Sequence, residues 1–167
     1  MGDGKGKTTA ALGLVMRSAG AEHRVLFTQF MKGQNGSELE ILSEMDGVQL
    51  YLYPEEIGPV SYMSAKDREN AKAAYEEYIW GITRILLQSS FDMLVMDEVV
   101  TAIHEGVLDE DYLMEMCLSQ LPDDMEIVLT GHDPSQAMTD WADYVTEMRK
   151  IKHPADQGIR ARKGIEL

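Results

Sequence analysis

The segment that decides the fold is Gly2-Asp3-Gly4-Lys5-Gly6-Lys7-Thr8-Thr9, in which glycines and lysines alternate and run into an apolar helical pattern over Thr8–Arg17. Glycine has no Cβ, so the backbone N–H groups of such a loop can crowd around an anion. The following helix directs the positive end of its dipole at the same point. Lys7 would bring a full charge to phosphate oxygens, and Thr8 would offer its hydroxyl to Mg²⁺. A glycine-rich, disordered N-terminus is the alternative interpretation.

The strict phosphate-loop pattern, G-x-x-x-x-G-K-[ST], requires a glycine where this chain has Met1. The match therefore comprises Gly6-Lys7-Thr8 and the two earlier glycines. In P-loop proteins the loop follows a buried strand, whereas this sequence begins inside the loop. We therefore expect the sequence to be N-terminally truncated, or to carry a misplaced start.

Length and composition indicate one globular domain spanning residues 1–167. The 167 residues are 44% apolar and 26% charged, and the formal net charge is −14. This acidity argues against general nucleic-acid binding, which needs a basic surface. Cys117 is the single cysteine, which excludes an internal disulfide framework and fits a reducing compartment. No apolar run approaches the length of a membrane span and no signal-peptide core is present, so we expect a cytoplasmic location without membrane partners.

Short apolar runs alternate with amphipathic stretches, which predicts an α/β fold with a mainly parallel sheet and helices on both faces. With the phosphate loop, this indicates a P-loop NTPase-like (RecA-like) fold. The expected strands are Arg24–Phe30, Val48–Tyr53, Phe91–Met96, Glu126–Thr130 and Tyr144–Met148. The expected helices are Thr8–Arg17, Ser37–Met45, Ala65–Gln88 with Ser64 as its cap, one from Asp109 to about Leu121, and a short one opened by Asp133-Pro134. Residues 55–63 are predicted to be a loop and the residues after Met148 an extended tail.

A carboxylate pair, Asp97-Glu98, follows the clearest buried strand of the sequence. P-loop proteins hold Mg²⁺ or an activated water at such a position, and ligands gather at the carboxyl ends of parallel strands. We expect Thr8, Asp97 and Glu98 to hold Mg²⁺ or Mn²⁺. The alternative is that one of the two carboxylates only caps the next helix.

The basic charge is concentrated at the end of the chain. Residues 149–167 contain six Lys or Arg and two Asp or Glu, a net charge of +4 in an otherwise acidic protein. Such a tail indicates either a local anion site or a solvated basic terminus.

Together these segments resemble the P-loop ATP:corrinoid (cob(I)alamin) adenosyltransferases. The similar segments are the phosphate loop, Gln29-Phe30-Met31-Lys32-Gly33, Met96-Asp97-Glu98 and the C-terminal run from Ala142 to Leu167. The most specific of these is the C-terminal run, which contains Lys152-His153-Pro154 and Ala161-Arg162-Lys163-Gly164-Ile165-Glu166. The resemblance covers essentially the whole chain.

The resemblance implies transfer of the 5′-deoxyadenosyl group of ATP to the cobalt of a reduced corrinoid, with release of triphosphate. Cobalt(I) is itself a strong nucleophile, so no catalytic triad is needed. The protein has to align the reactants and stabilise the charge that develops on triphosphate. Lys5, Lys7, the loop amides of Gly2–Thr9 and a metal ion at Thr8 and Glu98 suit that task.

The resemblance also implies roles for residues outside the loop. Arg17 and Arg162 would contact the nucleotide, although Arg17 could equally be a surface charge. Tyr62 occupies the loop in which the family places aromatic residues over the corrinoid. An electron donor, such as a flavoprotein, would reduce the cobalt, and a homodimer is expected because relatives commonly form one. Another P-loop ATPase or kinase, or a binding protein inactive through truncation, remain the alternatives.

Overall fold

A computed structural model of the chain describes residues 1–55 and 57–166. Two residues covered by sequence predictions lie outside this part, Glu56 in the predicted loop and Leu167 at the end of the tail. The strands are β1 (Val25–Gln29), β2 (Val48–Leu52), β3 (Met93–Asp97) and β4 (Glu126–Leu129). The α-helices are α1 (Lys7–Gly20), α2 (Ser37–Glu44), α3 (Ala65–Gln88), α4 (Val99–His104), α5 (Glu110–Met116) and α6 (Gln136–Trp141). Short 3₁₀ turns cover Val60–Tyr62, Leu118–Gln120 and Pro154–Gln157.

The four described strands form one parallel sheet in the order β2-β1-β3-β4. Every residue of β1 and β3 is buried, as expected of central strands covered by helices on both faces. Alternate residues of β1 serve opposite faces, since Val25 and Phe27 pack with α1 and α2, whereas Leu26 packs with α3. The predicted α/β class, with a parallel sheet and helices on both faces, is confirmed.

The long helix α3 begins where the sequence predicts. The Ser64 hydroxyl accepts a hydrogen bond from the Asp67 N–H, and the Asp67 carboxylate accepts one from the Ser64 N–H. This reciprocal arrangement satisfies N–H groups that a helix start otherwise leaves unpaired, and such a cap contributes about 1 kcal/mol. The buried stripe of α3 includes Tyr75, Tyr78 and Ile82, which cover the larger of the two cores.

Four local predictions are wrong. The helix expected from Asp109 to Leu121 is interrupted at Cys117, whose backbone leaves the helical region. The Thr83 hydroxyl donates a hydrogen bond to the Met116 carbonyl at this break. The final short helix starts at Gln136 with Ser135 as its cap, because the Ser135 hydroxyl rather than Asp133 accepts the Met138 N–H. The third wrong prediction is the tail, which is not extended throughout because it includes the turn Pro154–Gln157. The short helix α4 was not predicted from the sequence.

The fourth error concerns Tyr144–Met148, which does not form a sheet strand. Within residues 1–55 and 57–166, its backbone hydrogen bonds join it to the first residues of the chain. The Met1 amine donates to the Thr146 carbonyl, the Met148 N–H to the Met1 carbonyl, and the Gly4 N–H to the Met148 carbonyl. Three bonds at one end of the segment are too few to continue the sheet.

Candidate active site

The phosphate loop is fastened to the rest of the protein through its first two glycines. The Gly2 N–H donates to the Gly131 carbonyl at 3.0 Å, and the Gly4 N–H donates to the Met148 carbonyl at 2.6 Å. A Cβ atom on either glycine would lie 2.6 Å from the Met148 carbonyl oxygen, which is closer than real Cβ atoms come. These two glycines therefore allow close packing against residue 148, and their amides are already used.

The amides available to an anion lie further along, where α1 begins. Gly6 is the N-cap of α1, and no side chain makes a cap hydrogen bond there. The first turn of α1 has no acidic residue, so the N–H groups and the positive end of the helix dipole act together. The sequence prediction of an anion site at a helix N-terminus depends on this geometry.

The two loop lysines differ in position. The Lys7 ammonium is half-buried and donates to the Gly4 carbonyl at 3.3 Å, so it lies over the loop itself. Lys5 and the neighbouring Thr9 are exposed. Lys7 is thus the cation held against the loop, and Lys5 stands at its outer edge.

Asp97 is the centre of the site. Its side chain is completely buried, and four side chains from four segments converge on it. One carboxylate oxygen accepts hydrogen bonds from the Thr8 hydroxyl at 3.0 Å, the Gln29 amide at 3.2 Å and the Lys32 ammonium at 2.9 Å. The other accepts one from the Thr130 hydroxyl at 2.7 Å. A buried carboxylate has to be paired or hydrogen-bonded in this way to remain in the protein interior.

Glu98 follows Asp97 in the left-handed backbone conformation, with φ of 61°. Its carboxylate accepts a short hydrogen bond from the Thr101 hydroxyl, and its N–H donates to the Thr130 hydroxyl at 2.8 Å. Glu98 stands at the N-cap of α4, although its side chain makes no cap hydrogen bond. The two carboxylates therefore face different partners, and Asp97 is the one that meets Thr8.

The oxygens of Thr8 and Asp97 are spaced as two adjacent ligands of a divalent cation would be. The Thr8 hydroxyl oxygen lies 3.0 Å from Oδ2 of Asp97. Adjacent ligands of an octahedral Mg²⁺ with bonds of about 2.1 Å are separated by about 3 Å. No cluster of three or more His, Cys, Asp or Glu placed to hold a metal occurs in residues 1–55 and 57–166. Two oxygen ligands at this spacing could form part of an octahedral site whose other ligands are waters and substrate phosphates.

Known proteins resemble this chain along its whole length. Residues 1–167 match the family described as "ATP:corrinoid adenosyltransferase BtuR/CobO/CobP". The chain is 31% identical over 165 residues to a corrinoid adenosyltransferase of Escherichia coli K12, with 99% of this chain and 82% of the relative covered. Those of Pseudomonas aeruginosa and Salmonella typhimurium are 31% and 30% identical, over 99% of this chain and 80% and 82% of the relatives.

The chain belongs to the ATP:corrinoid adenosyltransferase family. Its activity is the transfer of an adenosyl group from ATP to a corrinoid, as the sequence resemblance implies. Within the described residues no helix is both long and apolar enough to cross a membrane.

Three other predicted site residues, Arg17, Tyr62 and Arg162, lie outside the hydrogen-bond network around Asp97. Arg17 is exposed in the last turn of α1, ten residues and therefore about 15 Å along the helix from Lys7. Tyr62 ends the turn Val60–Tyr62 and its side chain is 88% exposed. Arg162 is bound to Glu166 through its backbone N–H and its guanidinium, with the shortest contact 2.8 Å. Their assigned roles stay predictions.

The basic tail lies beside the phosphate loop. The Asp3 carboxylate accepts the Lys150 N–H at 3.0 Å, and this bond lowers the pKa of Asp3. Hydrogen bonds from Arg162 lower the pKa of Glu166 to about 2, and the charge of Lys5 acts on Glu166 in the same direction. Both ends of the tail are therefore near loop residues.

Sequence reasoning missed the roles of Gln29, Lys32 and Thr130. Gln29 and Asp97 are register partners in adjacent parallel strands, so their side chains end at the same sheet edge. Thr130 directly follows β4, which pairs with β3 on the other side. A signal was present, because polar residues at the ends of buried strands gather at one edge. The order of the strands, which the sequence does not state, was needed to use it.

Proposed function

We propose that the loop of residues 2–9 holds the triphosphate of ATP while the 5′-deoxyadenosyl group passes to the cobalt(I) of a reduced corrinoid. The observation that carries this proposal is the hydrogen bond from Thr8, the second residue of α1, to buried Asp97 at 3.0 Å. It joins the anion-binding end of the helix to the acidic end of β3. Positive amides and a carboxylate-held cation at one point suit a polyanionic leaving group.

Within this site Lys7 and Lys5 would neutralise the charge that grows on triphosphate as the carbon–oxygen bond breaks. Lys7 is the better placed, since its ammonium already lies over the loop. The N–H groups of Gly6 and of the first turn of α1 would bind phosphate oxygens. Because cobalt(I) supplies the electron pair, no protein base or nucleophile is assigned.

We propose Thr8 and Asp97 as the protein ligands of Mg²⁺ or Mn²⁺, with Glu98 beside them. When bound, the ion would neutralise phosphate charge and fix the position of the triphosphate. Thr130 would hold the pair in place, because its hydroxyl bonds both the Asp97 carboxylate and the Glu98 N–H.

For the corrinoid we propose the surface around Tyr62, whose exposed ring could cover one face of the macrocycle. The tail, with Arg162, would border the nucleotide, which is supported by the hydrogen bond from the Lys150 N–H to Asp3 and by the effect of the Lys5 charge on Glu166. Arg17 would contact the nucleotide from the far end of α1.

Three further proposals follow from the family. A reductant, for which a flavoprotein is suited, would supply cobalt(I), and the protein would act as a homodimer. A cytoplasmic location is supported by the single cysteine of the sequence, Cys117, which excludes an internal disulfide.

One assay tests the core of this proposal: ATP, Mg²⁺ and chemically reduced cobalamin, followed by absorbance for the cobalt–carbon bond and by analysis of the phosphate products. Adenosylcobalamin with intact triphosphate is expected. ADP with phosphate would indicate another P-loop ATPase or kinase, and binding of either substrate without product would indicate an inactive protein.

The residue-level arm uses Lys7→Ala, with Lys72→Ala as its control. Lys7→Ala should lose most adenosyl transfer while its melting temperature stays near that of the parent. Lys72 pairs with Asp109 on another face, so its loss should leave transfer unchanged. Near-normal transfer by Lys7→Ala would remove the phosphate loop from the mechanism.

A further inference from the structure

The ammonium of Lys32 lies against the same two oxygens to which the proposed function assigns the metal. Its Nζ atom is 2.8 Å from the Thr8 hydroxyl oxygen and 2.9 Å from Oδ2 of Asp97. Those two oxygens are 3.0 Å from each other, so the three atoms form a nearly equilateral triangle. A cation that takes both oxygens as ligands has to move this ammonium.

The backbone before Lys32 is held by hydrogen bonds, whereas the Lys32 side chain is partly exposed. The preceding residue, Met31, has a left-handed backbone with φ of 60°, and its N–H donates to the hydroxyl of fully buried Tyr75 at 2.7 Å. The Phe30 N–H donates to the Asp97 carbonyl at 2.8 Å. The Lys32 side chain is 38% exposed and flexible, so the ammonium can leave Asp97 without movement of the loop.

The pairing is unlike a surface ion pair. Lys72 and Asp109 form a similar contact at 3.1 Å, but both side chains are about two-fifths exposed. The carboxylate of Asp97 is fully buried, so the cation beside it offsets a large desolvation penalty. Among the ion pairs of the described residues, Lys32–Asp97 is the one whose carboxylate is fully buried.

We propose that Lys32 is a tethered cation that competes with the divalent metal for Thr8 and Asp97. The inference depends on the metal site of the proposed function. In the protein without nucleotide the ammonium neutralises Asp97 and weakens metal binding. Entry of the metal exchanges a single charge for a double one and releases Lys32 towards solvent and the phosphate loop. Metal binding is thereby favoured when ATP phosphates arrive to supply the remaining ligands and to receive the freed ammonium.

The test measures Mn²⁺ binding to the whole nucleotide-free chain by electron paramagnetic resonance of the free ion. Lys32→Met keeps roughly the length of the side chain and removes its charge. We expect this variant to bind Mn²⁺ about tenfold more tightly than the parent, which corresponds to the contribution of about one hydrogen bond to a charged group. Lys32→Arg, which keeps a cation, should stay near the parent. Lys72→Met is the matched control, because it removes an equally exposed lysine from another carboxylate and should change nothing.

Asp97→Asn separates this inference from the metal site itself. If Asp97→Asn abolishes Mn²⁺ binding but Lys32→Met binds no more tightly than the parent, the competition by Lys32 is refuted and the metal site stands. If Asp97→Asn leaves Mn²⁺ binding unchanged, the metal site is wrong and the inference fails with it. Binding undetectable in both the parent and Lys32→Met also refutes the competition.

A second measurement needs no variant. The parent protein is acetylated with acetic anhydride, with and without saturating Mn²⁺, and the modification of each lysine is quantified by mass spectrometry. Lys32 should become severalfold more reactive with Mn²⁺ as its ammonium leaves Asp97, whereas Lys72 should not change. Equal labelling of Lys32 in both conditions would show that the ammonium stays in place.

Discussion

Replacement of Thr130 by valine tests whether one hydroxyl organises the acidic end of β3. Thr130 is 5% exposed, and its hydroxyl donates to Asp97 at 2.7 Å and accepts the Glu98 N–H at 2.8 Å. Valine keeps the shape but leaves a buried carboxylate one donor short and an N–H without its acceptor. A hydrogen bond to a charged group contributes about 1.5–3 kcal/mol and an unmet buried polar group costs about 1–3 kcal/mol. Because the two costs overlap, Thr130→Val should lower the free energy of unfolding by about 2–4 kcal/mol.

The comparison variant is Thr28→Val. Thr28 is also buried in the sheet, but its hydroxyl makes a single neutral hydrogen bond to the Val95 carbonyl at 2.9 Å. Its loss should cost only about 1 kcal/mol. Thr130→Ser keeps the hydroxyl and should recover all but the contribution of one methyl group, about 1 kcal/mol.

The assay is urea unfolding of all three variants, followed by thermal melting. For a chain of this size 1 kcal/mol shifts the melting temperature by about 2–4 °C, so Thr130→Val should melt about 5–15 °C lower than the parent. Adenosyl transfer should fall in Thr130→Val and return in Thr130→Ser. If Thr130→Val and Thr28→Val are destabilised equally, the idea that Thr130 carries the charged network is refuted.

Three further changes give distinct expectations. Gly4→Ala should destabilise the fold and abolish ATP binding, since its Cβ would lie 2.6 Å from the Met148 carbonyl oxygen. Gly13→Ala, at an open position in α1, should stabilise the protein by about 0.5–1 kcal/mol. A urea titration in which Gly4→Ala is the more stable of the two variants would contradict both expectations. Burial raises the pKa of Tyr75 to about 12, so the protonated phenol contributes fully to stability below the unfolded pKa of about 10, and this contribution is lost as pH rises towards 12. Between pH 8 and pH 11, Tyr75→Phe should therefore lose less stability than the parent. Equal losses in the two proteins would exclude Tyr75 as the cause. An apolar five-residue strand fused ahead of Met1 should raise stability, because β4 pairs on its β3 side alone among the described strands and an added strand could pair with its open edge. A polar strand of equal length is the control, and an equal effect of both strands would show that pairing with β4 is not the cause.

The sequence alone determined the features whose signals are local. Alternating glycines and lysines before a helical pattern predicted the loop that precedes α1, because only backbone chemistry and helix polarity are needed to recognise it. Ser64 was predicted as the cap of α3 from its residue type and position, and the structure confirms that the helix begins there. Buried strands such as Met93–Asp97 were visible because a strand covered on both faces is apolar throughout.

The tertiary structure decided what depends on distant segments. Cys117 interrupts a helix that local pattern continues, and a hydroxyl from another helix stabilises the break. Gln29, Lys32 and Thr130 converge on Asp97 from positions more than thirty residues away. The parallel order of β1, β3 and β4 brings their ends to one edge, and no sequence period records which strands are neighbours. Short stretches of sequence were therefore enough to predict the type of chemistry. The residues that bind Asp97 were decided by strand order, because hydrogen bonds form only between groups that the fold brings within about 3 Å of each other.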